Sequence, residues 1–118
     1  MLARRRSPRG QAAAVGRSAP VFAALGDRTR LRLVARLGSE GPLSIARLTD
    51  GTDVTRQAVT KHLRVLADAG LARNVRRGRE QLWRLEAASL DEARRSLDSV
   101  AQRWNEALLR LKAGVEED

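Results

Sequence analysis

Two helical patterns separated by a glycine turn constrain the fold of this chain more than any other feature. Ser44 precedes a short apolar pattern that stops at Asp50-Gly51, and Thr55 precedes a longer one that runs to about Ala69. Serine and threonine are favoured N-cap residues because their side-chain oxygen accepts a hydrogen bond from the first helical turn. The longer pattern places these apolar residues at helical spacing: Ala58, Val59, Leu63 and Leu66. A short helix, a turn and a longer helix predict a helix-turn-helix.

Two further helices are predicted before this motif. Pro20 suits the first turn of a helix, so we expect one to begin near Ser18 and to end at Gly26. Asp27 is then placed to cap a second helix. The apolar residues expected on the inner faces of the two helices are Val21, Phe22, Leu25, Leu31, Leu33, Val34 and Leu37.

A β-hairpin is predicted after the helix-turn-helix. Residues 71–76 and 81–85 alternate in part between apolar and polar side chains, and a short link containing Gly78 joins them. Glycine in a short link between two such runs favours a hairpin. Arginines are concentrated on its first strand and tip: Arg73, Arg76, Arg77 and Arg79. A hairpin that follows a helix-turn-helix is the wing of a winged helix.

The last segment predicts a long helix with a broad apolar stripe. It opens with Ser89 and Glu92 at capping-box spacing and continues to about Lys112, a length of about 34 Å. The first column of the stripe repeats every seven residues: Leu90, Leu97, Trp104 and Leu111. The helix either packs on its own domain or is shared between two copies of the chain. We favour the second interpretation, because a helix of this length extends beyond the body of a domain this small.

The charged residues are unevenly distributed along the chain. The formal net charge is +9, and residues 1–19 contribute five arginines and no acid. We expect residues 1–18 to be a disordered arginine-rich arm, residues 19–114 to form the domain, and residues 115–118 to be an acidic tail. The arm is either a nucleic-acid contact or a solvated tail, and termini generally favour the latter. Residues 53–86 carry eight bases against four acids, which indicates a polyanionic partner for the folded part.

The residue inventory excludes several functional classes. The chain has no cysteine and no tyrosine and only one histidine, His62. Thiolate metal sites, cysteine nucleophiles and multi-histidine metal sites are therefore excluded, and we predict neither an enzyme nor a cofactor. His62 is expected to form hydrogen bonds at the edge of the core. No apolar run is long enough to span a membrane, and we expect a cytoplasmic protein.

The predicted helices and hairpin together resemble the ArsR/SmtB family of bacterial winged-helix repressors. The resemblance covers about residues 20–112 and rests on three stretches: residues 21–31, residues 55–66 and residues 69–71. Residues 103–111 are similar to the last helix of a cysteine-poor branch of the family. The resemblance implies a homodimer, paired through its first and last helices, that represses transcription by occupying operator DNA.

The departures from the family pattern concern metal sensing. Many members bind metals through cysteines on the third helix, where this chain has Ser44-Ile45-Ala46-Arg47-Leu48, and others use ligands on the last helix, which here contains no histidine. We therefore predict a branch that does not sense metals. Three alternatives for control of the protein remain: a small molecule, a partner protein, or its expression level alone.

The predicted DNA contacts follow from helix-turn-helix geometry, in which the second helix presents its N-terminal part to the major groove. Arg56 suits guanine and Gln57 suits adenine, while Lys61 and Arg64 suit phosphates. The full predicted recognition set is Thr55, Arg56, Gln57, Thr60, Lys61 and Arg64. The predicted DNA contacts of the wing are Arg76, Arg77 and Arg79.

The expected dimer interface draws on both terminal helices. Its residues are Val21, Phe22, Leu25, Leu97, Val100, Ala101, Trp104, Leu108 and Leu111. Trp104 either anchors this interface or lines an effector pocket, and we favour the anchor. The predicted function is a sequence-specific, dimeric repressor that binds double-stranded DNA. The alternative is a nonspecific architectural protein that binds DNA or RNA.

Overall fold

A computed structural model describes residues 8–116 of the chain. The elements are α1 (Pro8–Leu25), α2 (Arg28–Glu40), α3 (Ile45–Thr49), α4 (Arg56–Asp68), β1 (Ala72–Arg77), β2 (Glu80–Leu85) and α5 (Ala87–Glu116). This order and the mostly helical winged helix-turn-helix fold confirm the predicted fold class. Within the described part, no helix is both long and apolar enough to cross a membrane.

Three helices start where the sequence places a capping residue. The Asp27 carboxylate accepts a hydrogen bond from the Arg30 N–H at 3.0 Å. The Ser44 and Thr55 hydroxyl oxygens accept from the backbone N–H groups three residues later, at 3.2 and 3.1 Å. Each cap satisfies an N–H that has no partner inside its helix, which fixes the first turn of α2, α3 and α4.

The core lies between α2, α3, α4 and the hairpin, and Val21 and Ala24 of α1 and Ala93 of α5 pack against it. Its most deeply buried large side chains are Leu33, Leu48, Val59, Leu63, Leu66 and Leu71. Burying a side chain of this size contributes about 1.5–3 kcal/mol. The buried residues of α4 occupy one face of that helix, so its opposite face is turned to solvent.

The hairpin is short and anchored at its base. β1 and β2 pair antiparallel from Ala72↔Leu85 to Arg77↔Glu80. Gly78, at φ 64°, occupies the first position of the two-residue turn, where a positive φ favours glycine. Trp83 also exchanges two backbone hydrogen bonds with Leu43, of 2.8 and 2.9 Å, which fastens β2 to the segment after α2.

The first helix begins earlier than predicted. α1 starts at Pro8, so residues 8–18 are helical, whereas we expected disorder up to residue 18; residues 1–7 lie outside the described part. Pro20 lies inside α1 and not in its first turn. It leaves the carbonyl of Gly16 without a helical partner, but both residues are exposed, so water can satisfy that carbonyl. The buried Ser18 hydroxyl is 3.2 Å from that of Ser96 on α5, so the middle of α1 packs against α5.

The last helix is also longer than predicted at both ends. α5 begins at Ala87, so Ser89 lies in its first turn and the predicted capping box is wrong. The helix continues to Glu116, which makes residues 115–116 of the expected acidic tail helical and leaves 117–118 outside the described part. Ala93 and Ser96 are buried on the N-terminal third of α5, whereas every residue from Val100 to Val115 is exposed.

Candidate nucleic-acid interface

The solvent-facing side of α4 carries most of the predicted recognition residues together. Arg56, Gln57, Thr60, Lys61 and Arg64 line one open depression of about 510 Å³. Val59, Leu63 and Leu66 are fully buried on the opposite side of the same helix. Because one face of α4 is fixed in the core, the polar face is held rigidly outward, as the reading of base edges requires.

In the part of the chain that the structure describes, the long basic side chains of this face are not engaged by other residues. Within residues 8–116, the side chains of Arg56, Lys61 and Arg64 make no hydrogen bond or ion pair. Elsewhere arginines are engaged, as in the pair between Arg84 and Glu86 at 3.1 Å. The donors on α4 are therefore available to phosphate oxygens or to base acceptors in the major groove.

The two threonines of the recognition set also form hydrogen bonds that stabilise α4. The hydroxyl oxygen of Thr55 caps α4, so this residue lies at the N-terminus of the helix and not on its polar face. The Thr60 hydroxyl donates to the Arg56 carbonyl at 2.8 Å. That bond uses its hydrogen, and leaves its methyl group and lone pairs to face a ligand.

The predicted wing arginines all lie on the exposed end of the hairpin. Arg77 ends β1 and Arg79 occupies the turn, and both side chains are exposed. The Arg76 Nε donates to the Gly78 carbonyl at 3.3 Å, which ties that side chain to the turn. Among the described residues, the guanidinium groups of Arg77 and Arg79 make no hydrogen bond, whereas that of Arg76 is held by the backbone.

Two arginines of α2 have a role that the sequence did not reveal. The Arg36 Nη1 donates to the carbonyls of Arg47, Leu48 and Asp50 at 3.1–3.2 Å and so caps the C-terminal end of α3. Its Nε bonds Glu40 at 2.8 Å, and this hydrogen bond holds the pKa of Glu40 below its usual value. In the sequence, Arg30 and Arg36 stand outside the apolar residues of this helix, and no local spacing signals their long-range contacts.

Arg30 is the second arginine of α2 with long-range contacts, and its side chain reaches α1 and α4. Its Nε donates to the Ala24 carbonyl of α1 at 2.6 Å, and its Nη1 lies 3.2 Å from the Nδ1 of His62 on α4. His62 is half-buried, so its predicted role as a hydrogen-bonding residue at the edge of the core is confirmed. The Arg30 N–H bond to Asp27 lowers the pKa of that carboxyl.

The residues expected at the dimer interface fall into two groups. Val21 is 7% exposed and packs in the core of its own chain, while Phe22 and Leu25 are partly buried against that core. The α5 residues are the exposed group, with Trp104 65% exposed and Leu111 68% exposed. Val115 is exposed on the same stripe and was missed, although it follows Leu108 by seven residues.

A metal-ligand cluster is not part of this surface. Among residues 8–116, no group of three or more histidine, cysteine, aspartate or glutamate side chains could hold a metal ion.

Comparisons with known proteins agree with this geometry. A family model described as a helix-turn-helix domain matches residues 25–75. The uncharacterized HTH-type transcriptional regulator YuzN of Bacillus subtilis is 39% identical over 70 residues, which cover 54% of this chain and 76% of that protein. An HTH-type transcriptional regulator of Mycobacterium tuberculosis is 36% identical over 85 residues, covering 72% of this chain and 76% of its own.

Solved structures share the fold over most of its length. An ArsR-like transcriptional regulator from Rhodococcus sp. RHA1 superimposes with a TM-score of 0.74 at 34% identity, covering 86% of this chain and 94% of that one. The homodimeric winged helix-turn-helix DNA-binding domain of a Mycobacterium bovis protein gives a TM-score of 0.58 at 26% identity, covering 88% and 91%. With identity above 30% over nearly the whole length of the Rhodococcus regulator, this chain belongs to the ArsR/SmtB family of winged-helix transcriptional regulators.

Proposed function

We propose that the protein is a sequence-specific regulator that binds double-stranded DNA as a homodimer and represses transcription by occupying its operator. The observation that carries this proposal is the exposed polar face of α4, on which Arg56, Gln57, Thr60, Lys61 and Arg64 share one open depression. An α-helix fits the major groove of B-DNA, and the chemistry of this face suits both base edges and phosphates.

The roles within this face differ. Arg56 and Gln57, in the first turn of α4, are assigned to base edges, where each bidentate contact is worth about 1–3 kcal/mol of discrimination. Lys61 and Arg64 lie further along the helix and are assigned to phosphates, which fix register without reading sequence. Arg77 and Arg79 on the wing are assigned to the flanking backbone or to a narrow minor groove.

The exposed half of α5 supports the homodimer. Leu97, Val100, Trp104, Leu108 and Leu111 form an apolar stripe along one side of that helix, and each is 46–68% exposed. An isolated chain would leave this stripe in water, whereas a second copy would bury it. The homodimeric state of the Mycobacterium bovis domain, which covers 88% of this chain, favours the same assembly.

The rival functions have less support. A nonspecific architectural protein would need basic charge but no rigid reading face, and it would bind any duplex about equally. An enzyme would need a nucleophile or a general base in a cleft, whereas the single histidine, His62, is engaged with Arg30 at 3.2 Å. A transcriptional regulator of this kind acts in the cytoplasm.

Selection of bound sequences from a random duplex pool tests the proposal. A homodimer with two reading helices should enrich a symmetric motif whose half-sites are about one helical turn apart. Enrichment of no motif would contradict it and favour the architectural alternative. Enrichment of a single asymmetric half-site would contradict the dimer while leaving the reading face in place.

A further inference from the structure

The exposed apolar stripe of α5 is symmetric about Trp104. Its five large side chains are 46–68% exposed and lie at offsets of −7, −4, 0, +4 and +7 from that residue: Leu97, Val100, Trp104, Leu108 and Leu111. Two alanines, Ala101 and Ala107, add a pair at −3 and +3. At about 100° per residue, all seven lie within about 60° of Trp104 around the helix axis. The stripe therefore presents the same spacing of apolar side chains in both directions from Trp104.

Both ends of the stripe are set by the structure. Towards the N-terminus, Ala93 and Ser96 are 2% and 6% exposed, because α1 and the core of the same chain cover them. Towards the C-terminus, α5 ends at Glu116. Val115 lies beyond Leu111, and its counterpart at the same offset on the other side of Trp104 is the buried Ala93. The stripe that is free on both sides of Trp104 therefore runs from Leu97 to Leu111.

A palindromic stripe suits a second copy of the same helix. In a two-fold interface, residue i of one copy contacts residue j of the other, and j contacts i. For two antiparallel helices with the axis at Trp104, Leu97 faces Leu111 of the partner subunit, and Val100 faces Leu108 of the partner subunit. The two Trp104 side chains meet at the axis, where the small side chains of the two alanines leave room for the indole rings.

Registers shifted by one heptad bury less of the stripe. A shift towards the N-terminus places Leu108 of the second copy against Ala93, which its own chain already covers. A shift towards the C-terminus places Leu97 opposite position 118, beyond the end of α5, and leaves that side chain in water. The register centred on Trp104 buries all five large side chains and is favoured by the apolar area it removes from water.

The charges at the two ends of α5 favour the antiparallel direction. Residues 109–115 carry two bases and no acid, whereas residues 87–98 carry three acids and two bases. Antiparallel pairing places the basic end of each helix beside the net acidic end of the other, and opposite charges attract. Parallel pairing would place the two basic ends together.

We propose that the dimer that binds the operator is held by antiparallel pairing of its two α5 helices, in the register that places both Trp104 side chains on the two-fold axis. The inference rests on the proposed homodimer and adds its direction and register. Because α5 packs on α1 of its own chain, with Ser18 and Ser96 in contact at 3.2 Å, this register also sets the distance between the two reading helices.

Disulfide cross-linking tests the register, since the natural chain has no cysteine. In the proposed register, position 101 of one copy faces position 108 of the other. The double variant Ala101→Cys/Leu108→Cys should therefore form a covalent dimer under mild oxidation. Within one helix these positions are about 10 Å apart along the axis, too far for a disulfide. Each single variant should remain uncrosslinked, because its two copies of the cysteine lie about 9 or 12 Å apart along the axis.

The single variants identify the alternatives. Efficient cross-linking of Ala101→Cys alone would indicate the register shifted towards the N-terminus, and that of Leu108→Cys alone the opposite shift. Cross-linking of both would indicate parallel helices. Any of these results would overturn the proposal. The oxidised double variant should keep the operator affinity of the wild type, and a covalent dimer that no longer binds the operator would also overturn it.

A spin-label distance tests the register without changing the stripe. Ala113 is exposed on the side of α5 opposite Trp104, so Ala113→Cys removes no interface side chain. Labels at this position should be separated by about 27 Å along the helix axes, against about 17 or 38 Å in the shifted registers and nearly zero for parallel helices. Gln102→Cys, on the same outer side near the axis, is the matched control that measures the lateral separation.

The oligomeric state separates failure of this inference from failure of the proposed function. A dimer with an axial separation that matches another register would overturn the register alone. A wild-type protein that sediments as a monomer at micromolar concentration would instead contradict the proposed homodimer, and this inference with it.

Discussion

Thr55 shows how one residue can serve the fold and the proposed site together. Its hydroxyl oxygen accepts the Ala58 N–H at 3.1 Å and begins α4, directly before Arg56. The hydroxyl hydrogen is not used by this bond, so Thr55 could also donate to a DNA phosphate. A change at this position is therefore expected to alter stability even in the absence of DNA.

The cap at Thr55 gives a stability prediction. Thr55→Ala should lower the free energy of unfolding by about 1 kcal/mol, because the Ala58 N–H loses its acceptor. Thr55→Ser keeps the oxygen and should retain nearly all of the stability. Denaturant unfolding of the free protein at neutral pH measures both, and equal stability of the alanine and serine variants would contradict the capping role.

The cap at Asp27 gives a prediction about acid. Hydrogen bonding from the Arg30 N–H lowers the pKa of Asp27 from its ordinary value of 3.8. A depressed pKa contributes stability that is fully present above the ordinary value and is lost as pH falls through the folded value. Asp27→Asn keeps an acceptor for the same N–H but carries no charge. Between about pH 4.5 and 2, its thermal midpoint should therefore fall less than that of the wild type; parallel falls would contradict the assignment.

The capping residues were predictable because capping is local. Asp27, Ser44 and Thr55 each act on an N–H three residues away, a spacing that can be read along the chain. Arg30 and Arg36 act across 6 to 32 residues of sequence, and only the packing of α2 against its neighbours brings their partners close. No periodicity in one sequence carries that information.

At the scale of elements, α1 shows where local rules fail. Proline inside a helix costs about 3 kcal/mol, so Pro20 indicated a helix start. The alanine-rich residues before it favour helix, and burial of Ser18 and Val21 on α1 adds tertiary stabilisation. Tertiary packing therefore outweighed the proline. The apolar pattern of α5 likewise does not show where burial ends. The apolar stripe continues to the end of the helix, but burial within this chain ends near Ser96.

The wing gives a prediction about salt. If Arg79 at the hairpin turn contacts a phosphate, Arg79→Gln should reduce the slope of log K against log salt by about 0.9 for each protomer contact. Arg95→Gln is the matched control, since it removes the same charge from an exposed position on α5 that has no ion pair within residues 8–116. Filter binding or anisotropy over a salt series gives both slopes. An unchanged slope for Arg79→Gln would show that the wing points into solvent.

At the scale of the whole molecule, the exposed half of α5 is the feature that a single chain leaves unexplained. Trp104 is 65% exposed, so Trp104→Ala should leave the fold of each protomer intact. It should nevertheless convert the dimer to monomers at micromolar concentration, because an aromatic anchor at the centre of an interface commonly contributes about 2 kcal/mol or more.

Leu109→Ala provides the comparison for that prediction. Leu109 is 66% exposed on the same helix but lies off the stripe of Leu97, Trp104 and Leu111. Its removal should change the dimer equilibrium much less. Sedimentation equilibrium of the two variants and the wild type measures the effect, and a Trp104→Ala protein that stays dimeric would overturn the assigned interface.

If α4 reads a sequence, the protein should distinguish the selected operator from a random duplex, and the ratio of the two affinities at one salt concentration measures this most directly. The wild type should prefer the operator by about 10³ or more. Arg56→Ala should lose about 1–3 kcal/mol on the operator and little on the random duplex, because a base contact contributes only at the right sequence. A wild-type ratio near one, or equal losses on both duplexes, would contradict the account.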